Sequence, residues 1–438
     1  MNRWIIPAVG GLVVTLVTVS ISIGRLSPSP DPHGPVTPAA PLGKVLPTAP
    51  VKQVTELLSA ERVKALRSAQ WKAIARRSSI VVLNSWDYRL IPVLKHANPG
   101  VQVWVYKDLS GVRSDDCLTT TGNCGSCARG VTDSKFLSSG MGYCWVRRHH
   151  PDWLLHRAGT GQPLEFNGYP KTWETDYGNS SYLHRWIQNV VADVHRHGWD
   201  GVKVDNALTT ADAYGITQEY PTSAAVQRAT HSTIREVSPA MRRAQIRAVF
   251  NVGFAPVFPG LWQRWLRAVD GLQQEFYLSF STQPDAVGRA WTAYEAEIRS
   301  CVRQHKSCWF HTGSQSGMVT GQTRNYSLAS FLLATDARQH LAVGNSARLA
   351  MAPCWSMGRP LGPGHHVGGA AWQRTFTAGI AVVNPTRSSV TVDLGRTYYG
   401  AGGQALSAIT LRPASGVALG TSRPGTCHEH RQPAAHRS

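Results

Sequence analysis

Eight short β-rich runs between Ser79 and Gly344, each closing on polar residues and parted from the next by helix-like sequence, constrain this chain more than any other feature. They are "SIVVLNSW", "VQVWVYKD", "KTWETD", "DGVKVDN", "IRAVFNVG", "VDGLQQEF", "SCWFHTGS" and "HLAVG". Strands that alternate with helices form βα units and a parallel sheet, and eight such units close into a (β/α)8 barrel. The alternative is an open doubly wound sheet, but no Gly-rich phosphate fingerprint follows the first run. One intervening helix is legible in detail. In "SSYLHRWIQNVVADVHRHG", Leu183, Ile187, Val190, Val191 and Val194 form one stripe, serines stand at the start and Gly198 at the end. From about Gln373 the texture changes to "RTFTAGIAVVNPT", "SVTVDLG" and "LSAITLRPASGVALG", short alternating strands joined by turn residues. The expected class is therefore α/β: a TIM barrel over residues 51–350, then a small antiparallel β-sandwich over residues 370–420.

The ends read differently. Arg3 precedes an uncharged apolar run that lasts until Arg25, which reads as a signal peptide or an N-terminal membrane anchor. Residues 26–50 are a proline-rich linker, and residues 421–438 read as a mostly disordered tail. Eight cysteines in a chain of this kind suit disulfides. Cys301 and Cys308 are close enough to pair locally. Cys117, Cys124, Cys127 and Cys144 lie in a Gly- and Ser-rich insertion near residues 112–150, between the second and third runs, where a zinc site is the alternative to bridges. Cys354 and Cys427 are left to pair with each other. The formal net charge of +19 would suggest nucleic acid in a cytosolic protein. In an exported one it points instead to an anionic cell-envelope surface, with an acidic substrate as the alternative. The expected product is a secreted or envelope-tethered monomer.

The chemistry is expected where barrel strands end. In "GWDGVKVDN", Val202 and Val204 share one parity and face the helices, while Lys203 and Asp205 share the other and point inward. Burying a lysine and an aspartate costs several kcal/mol unless they pair or serve a site. Asp205 is the candidate ionised carboxylate, with a structural ion pair as the plain alternative. Asp200, before the strand, is expected at the opposite face as a turn residue, and Asp270 likewise. A glycosidase needs a second carboxyl group held protonated. Glu275, closing "VDGLQQEF" and flanked by Phe276 and Tyr277, is the candidate, and a strand-end glutamate in solvent is its alternative. Asp176 is expected to bind sugar hydroxyls or hold Lys203, unless it caps the following helix. Lys107, Lys203, Asn206 and Asn251 complete the expected polar contacts to substrate, and Trp86 is placed to stack on a sugar ring. The sequence offers no convincing metal-ligand set and calls for no cofactor.

At "GWDGVKVDN", "QQEF" and "FTAGIAVVNPT" the chain resembles the glycoside hydrolase families built on a (β/α)8 barrel with a small β-domain behind it, particularly hypothetical glycosyl hydrolase family 15. More distantly it is similar to endo-acting α-galactosaminidase-like barrels, and "KVDN" looks like the lysine-x-aspartate motif of α-galactosidases. The resemblance implies that Asp205, ending strand four, and Glu275, near strand six, are the catalytic pair, and that the substrate is a polysaccharide or oligosaccharide. A non-catalytic envelope barrel that binds carbohydrate is the rival reading, and a lyase or transglycosylase on the same fold is a third.

Overall fold

The computed structural model describes residues 51–118, 124–279, 285–313, 319–336, 338–344 and 357–423, with the backbone of Cys124 and of two short paired stretches, Arg3–Trp4 and Val19–Ser20. The rest of the leader and the proline-rich linker, the tail from residue 424, and Cys354 and Cys427 lie outside the described residues.

Eight parallel strands close into a barrel: β1 Lys52–Leu57, β2 Ile80–Leu83, β3 Gln102–Asp108, β4 Gly201–Asp205, β5 Arg247–Asn251, β6 Leu272–Gln274, β7 Trp309–Thr312 and β8 His340–Val343. The barrel runs in sequence order, with β1 pairing β8 and β3 pairing β4 directly. Two assignments from sequence change. "KTWETD" is not a barrel strand: Thr172–Glu174 pairs antiparallel with Gly111–Arg113 in a two-stranded ribbon above β3. "VKQVTEL", whose continuation into "TELLSAERV" has helical spacing, supplies β1 instead. The count of eight survives, the "DGVKVDN" run remains fourth and the "GLQQ" run sixth. The cysteine-bearing insertion falls between the third and fourth strands rather than the second and third.

Parity sorts each strand. Val202 and Val204 pack outward into the core shared with the helices. Val54, Ile80, Val82, Trp104, Val249, Trp309 and Ala342 fill the barrel interior as a separate apolar cluster. Gly201 is required there: a Cβ would lie 2.7 Å from the Trp104 indole. The helix Ser180–His197 opens on Asn179, whose side chain accepts from the backbone N–H groups of Ser181 and Tyr182, and stops at Gly198 in the left-handed conformation with φ 72°. Asp200 sits below β4, accepting from Lys95 at 2.7 Å and from the Val103 N–H at 2.7 Å, and Asp270 pairs with Arg242. Both are floor residues.

The C-terminal unit is one six-stranded antiparallel sheet, β9 His365–Val367, β10 Ala371–Phe376, β11 Gly379–Asn384, β12 Val390–Tyr399, β13 Ala405–Leu411 and β14 Ser415–Gly420, in the order β9-β10-β11-β14-β12-β13. It curls around its own apolar cluster, including Ile380, Val392, Leu394 and Leu419, and packs on the barrel helix Gly321–Ala334. Arg374 clamps the two, donating to the carbonyls of Leu332 and Thr335 at 2.9 and 2.8 Å, where the helix end carries its negative dipole. Disulfides join Cys301 to Cys308 and Cys127 to Cys144, and Cys117 is also bridged. Among the described residues no helix is long and apolar enough to cross a membrane.

Candidate active site

The carboxyl ends of β3 to β6 bring four polar side chains to one place. Asp108 and Asp205 end β3 and β4 in direct register. Asn251 ends β5, and Glu275 follows β6 by one residue. The Asn251 amide nitrogen donates to Asp205 Oδ1 at 2.6 Å and to Glu275 Oε2 at 2.7 Å. One side chain, only 4% exposed, thus holds the two carboxyl groups against each other. Tyr106, inward on β3, is hydrogen-bonded to Asp205 from the other side. Burial and the adjacent Asp205 charge raise the pKa of Glu275, although Lys203 and the Asn251 bond pull the other way.

Lys203 lies one layer deeper. Its ammonium is 2.7 Å from Glu56 Oε2, both are buried, and Glu56 Oε1 also accepts from Gln273 at 2.9 Å. Burial alone would lower Lys203, but the charges of Glu56, Asp205 and Glu275 outweigh it and its pKa is raised. Glu56 moves the opposite way: burial alone would raise it, but Lys203 and His311 hold it well below the usual carboxylate range. A structural ion pair therefore exists on this strand, with Glu56 of β1 rather than Asp205 as the partner of Lys203. Lys203 is a positioning charge beneath the carboxylates, not a free substrate contact.

Of the other expected contacts, Asn206 lies beside the site in the left-handed conformation with φ 56°. It donates to Asp108 Oδ2 at 2.8 Å and accepts from the Tyr214 hydroxyl at 2.8 Å. Trp86 lies three residues past the end of β2, in the short 3-10 helix Ser85–Leu90, and is 37% exposed. Lys107 is a correction: it has the parity of Val204 and points into the helix layer, where Asp193 at 2.7 Å, Ser85 and the Leu137 carbonyl take up its ammonium. Asp176 is a second: it follows the ribbon strand, not a barrel strand, and engages the Tyr220 hydroxyl and the Gly178 N–H rather than Lys203. The helix cap there is Asn179. Tyr277, expected to shield Glu275, turns outward and donates to Glu295 at 3.0 Å.

Besides Glu56, two carboxyl groups at the mouth escaped sequence reasoning. Asp108 is buried, and burial and the Asp205 charge push it up to about 8, against bonds from Asn206 and the N–H groups of Ser110 and Gly111 that favour ionisation. Glu174, on the ribbon strand opposite Gly111, is 4% exposed, and its Oε2 has no hydrogen-bond partner among the described residues. Burial, reinforced by Asp108, raises it to about 8. The signal for Asp108 was present: it closes "VWVYKD" as Asp205 closes "GVKVD", two residues beyond an inward side chain. Nothing local marks Glu174, because its strand belongs to an insertion. The stacked rings of Phe166 and Tyr214, 4.0 Å apart, wall this side of the mouth.

A parallel barrel with an amide-bridged pair of carboxyl groups at its carboxyl-terminal mouth has the architecture and functional groups of a glycoside hydrolase. The sequence profile of the family described as "Hypothetical glycosyl hydrolase family 15" matches residues 95–380, more than half of the chain, and the chain belongs to that family. It is by that membership a glycoside hydrolase, and its substrate is a carbohydrate. No curated protein matches the chain. Among solved structures it is similar to a noncanonic maltogenic α-amylase, AmyB from Thermotoga neapolitana, at 9% identity over 85% of this chain and 98% of that one, TM-score 0.47. It is similar also to the glycoside hydrolase domain of PelA from Pseudomonas aeruginosa, at 12% identity over 67% and 96%, TM-score 0.38. A third is Ega3 of Aspergillus fumigatus in complex with galactosamine, at 10% identity over 70% and 96%, TM-score 0.39.

Proposed function

We propose that the protein is an exported glycosidase that cleaves a polysaccharide by double displacement, with Asp205 as nucleophile and Glu275 as acid and then base. Glu275 gives its proton to the glycosidic oxygen as Asp205 attacks the anomeric carbon, so the C–O bond breaks and a glycosyl ester forms. Glu275, now ionised, takes a proton from water, which attacks the same carbon and frees Asp205. The observation that carries this reading is the Asn251 bridge. Both oxygens bond to one nitrogen, at 2.6 and 2.7 Å, so they are no farther apart than those two bonds laid end to end. That agrees with the roughly 5 to 5.5 Å of retaining enzymes and is too short for the roughly 6.5 to 9.5 Å that admits an intervening water.

The surroundings support the division of roles. The raised Glu275 suits an acid, while the charge of Lys203 and the donors Asn251 and Tyr106 suit an ionised Asp205. Asn206 and Asp108 supply hydrogen bonds for hydroxyls, and Trp86 a ring for a sugar face. Export is supported by the Cys127–Cys144 and Cys301–Cys308 bridges, together with the apolar run before Arg25, a leader or anchor set off by the linker to residue 50. The test is reducing-end release from a panel of bacterial and fungal polysaccharides by the protein, by Asp205→Asn and by Glu275→Gln. Each substitution is expected to slow release by orders of magnitude, about 4 kcal/mol or more of barrier, and the first product should keep its anomeric configuration by proton NMR. A folded parent that binds glycans and cleaves none would instead favour the carbohydrate-binding rival.

A further inference from the structure

A cavity of about 980 Å³ is lined by none of the four side chains of the candidate site. Phe276, next in sequence to Glu275, and Phe254, three residues past Asn251, form one end, their ring centroids 4.9 Å apart. From there the groove runs between the start of the helix Arg289–Arg303 and the C-terminal sheet domain, which contributes Arg387 and Pro413. Val257, 60% exposed, stands on its edge. The volume is at the top of the range of ligand pockets, ~300–1,000 Å³. The two phenyl rings, tilted 46° to each other, give that end apolar surface of the kind that meets the C–H face of a pyranose ring.

The charge is as informative as the shape. Arg289 and Arg387 are both exposed at the groove, and among the described residues neither is in an ion pair. The one carboxyl in the lining, Asp285, is hydrogen-bonded to Thr323 and Ser279. Two exposed guanidinium forks in a groove that also has aromatic rings in its lining suit a carboxylate on a sugar, and the net charge of +19 attracts such a chain at long range.

We propose that this groove is a second glycan subsite, built jointly by the barrel and the C-terminal sheet, that holds a uronic acid residue of the chain being cleaved. The assignment rests on the hydrolase reading for its occupant, the same glycan that reaches Asp205 and Glu275.

The test is calorimetric binding of hexasaccharides of polygalacturonate, polymannuronate and hyaluronan, each beside its carboxyl-reduced form, to the full chain carrying Asp205→Asn. At least one acidic probe should bind tenfold or more tighter than its reduced form, and Arg289→Ala/Arg387→Ala should abolish the difference at an unchanged melting temperature. Should the double variant misfold, Arg387→Glu alone should do the same. The proposal is overturned if no acidic probe outbinds its reduced form, if the arginine variants keep the preference, or if only phosphorylated glycans bind. Binding is read without turnover. A parent that shows the arginine-dependent preference yet releases no reducing ends would therefore sink the hydrolase reading and leave the subsite standing.

Discussion

Replacing Asn251 with alanine removes the bridge between the two carboxyl groups and little else, since the side chain is short and buried and its amide makes both contacts. Hydrogen bonds to charged groups contribute about 1.5 to 3 kcal/mol each. In the proposed mechanism the bond to Asp205 holds the nucleophile and the bond to Glu275 holds the proton donor, so losing both misplaces the pair in the transition state. Taking one bond's worth as the differential loss gives about 3 kcal/mol, a fall in kcat/KM of ~10²-fold. The pH profile should move too. The Asn251 bond favours the ionised form of Glu275, so without it Glu275 rises further, and the alkaline limb, where the acid loses its proton, shifts to higher pH. The assay is hydrolysis of whichever glycan the parent cleaves, followed from pH 4 to 9, with near-ultraviolet circular dichroism to check packing. Activity within threefold of the parent and an unmoved alkaline limb would refute the argument that the bridge sets the site.

Two further predictions concern the barrel and its helices. Lys203→Met leaves Glu56 buried without its cation and should cost about 3 to 5 kcal/mol in urea unfolding, whereas adding Glu56→Gln should recover much of the loss; equal stability of the single and double variants would contradict this. Glu295, pushed by burial from 4.5 to about 8, favours the folded state fully below pH 4.5, and that contribution is lost as pH rises to about 8, because the unfolded chain gives up the proton first. Glu295→Gln should therefore stabilise the protein by about 1 to 3 kcal/mol at pH 7 and flatten the decline between those limits, as read from chemical melts at several pH values.

The barrel was legible because most of its strands keep a plain parity: in "DGVKVDN" the outward valines and inward charges alternate without interruption. β1 was not, because its inward position at the site end is Glu56, so "KQVTELL" loses the apolar alternation of a strand and gains the spacing of a helix. "KTWETD" misled for the converse reason. A two-stranded ribbon has the local pattern of a barrel strand, and only tertiary pairing separates the two. The positions of Asp205 and Glu275 followed from strand ends. Lys107 failed on one step of parity, and reading it one residue further would have reached Asp108. That Asn251 grips both carboxyl groups could not be read from sequence, since it depends on three strands meeting at one height.

The placement of β1 also orients the molecule. A parallel strand enters its barrel at the floor, and Lys52 begins β1 immediately after the proline-rich stretch. Whatever precedes Val51 therefore joins the barrel at the pole opposite Asp205 and Glu275. If that end is held at a surface, the mouth opens on the side of the barrel away from the point of attachment.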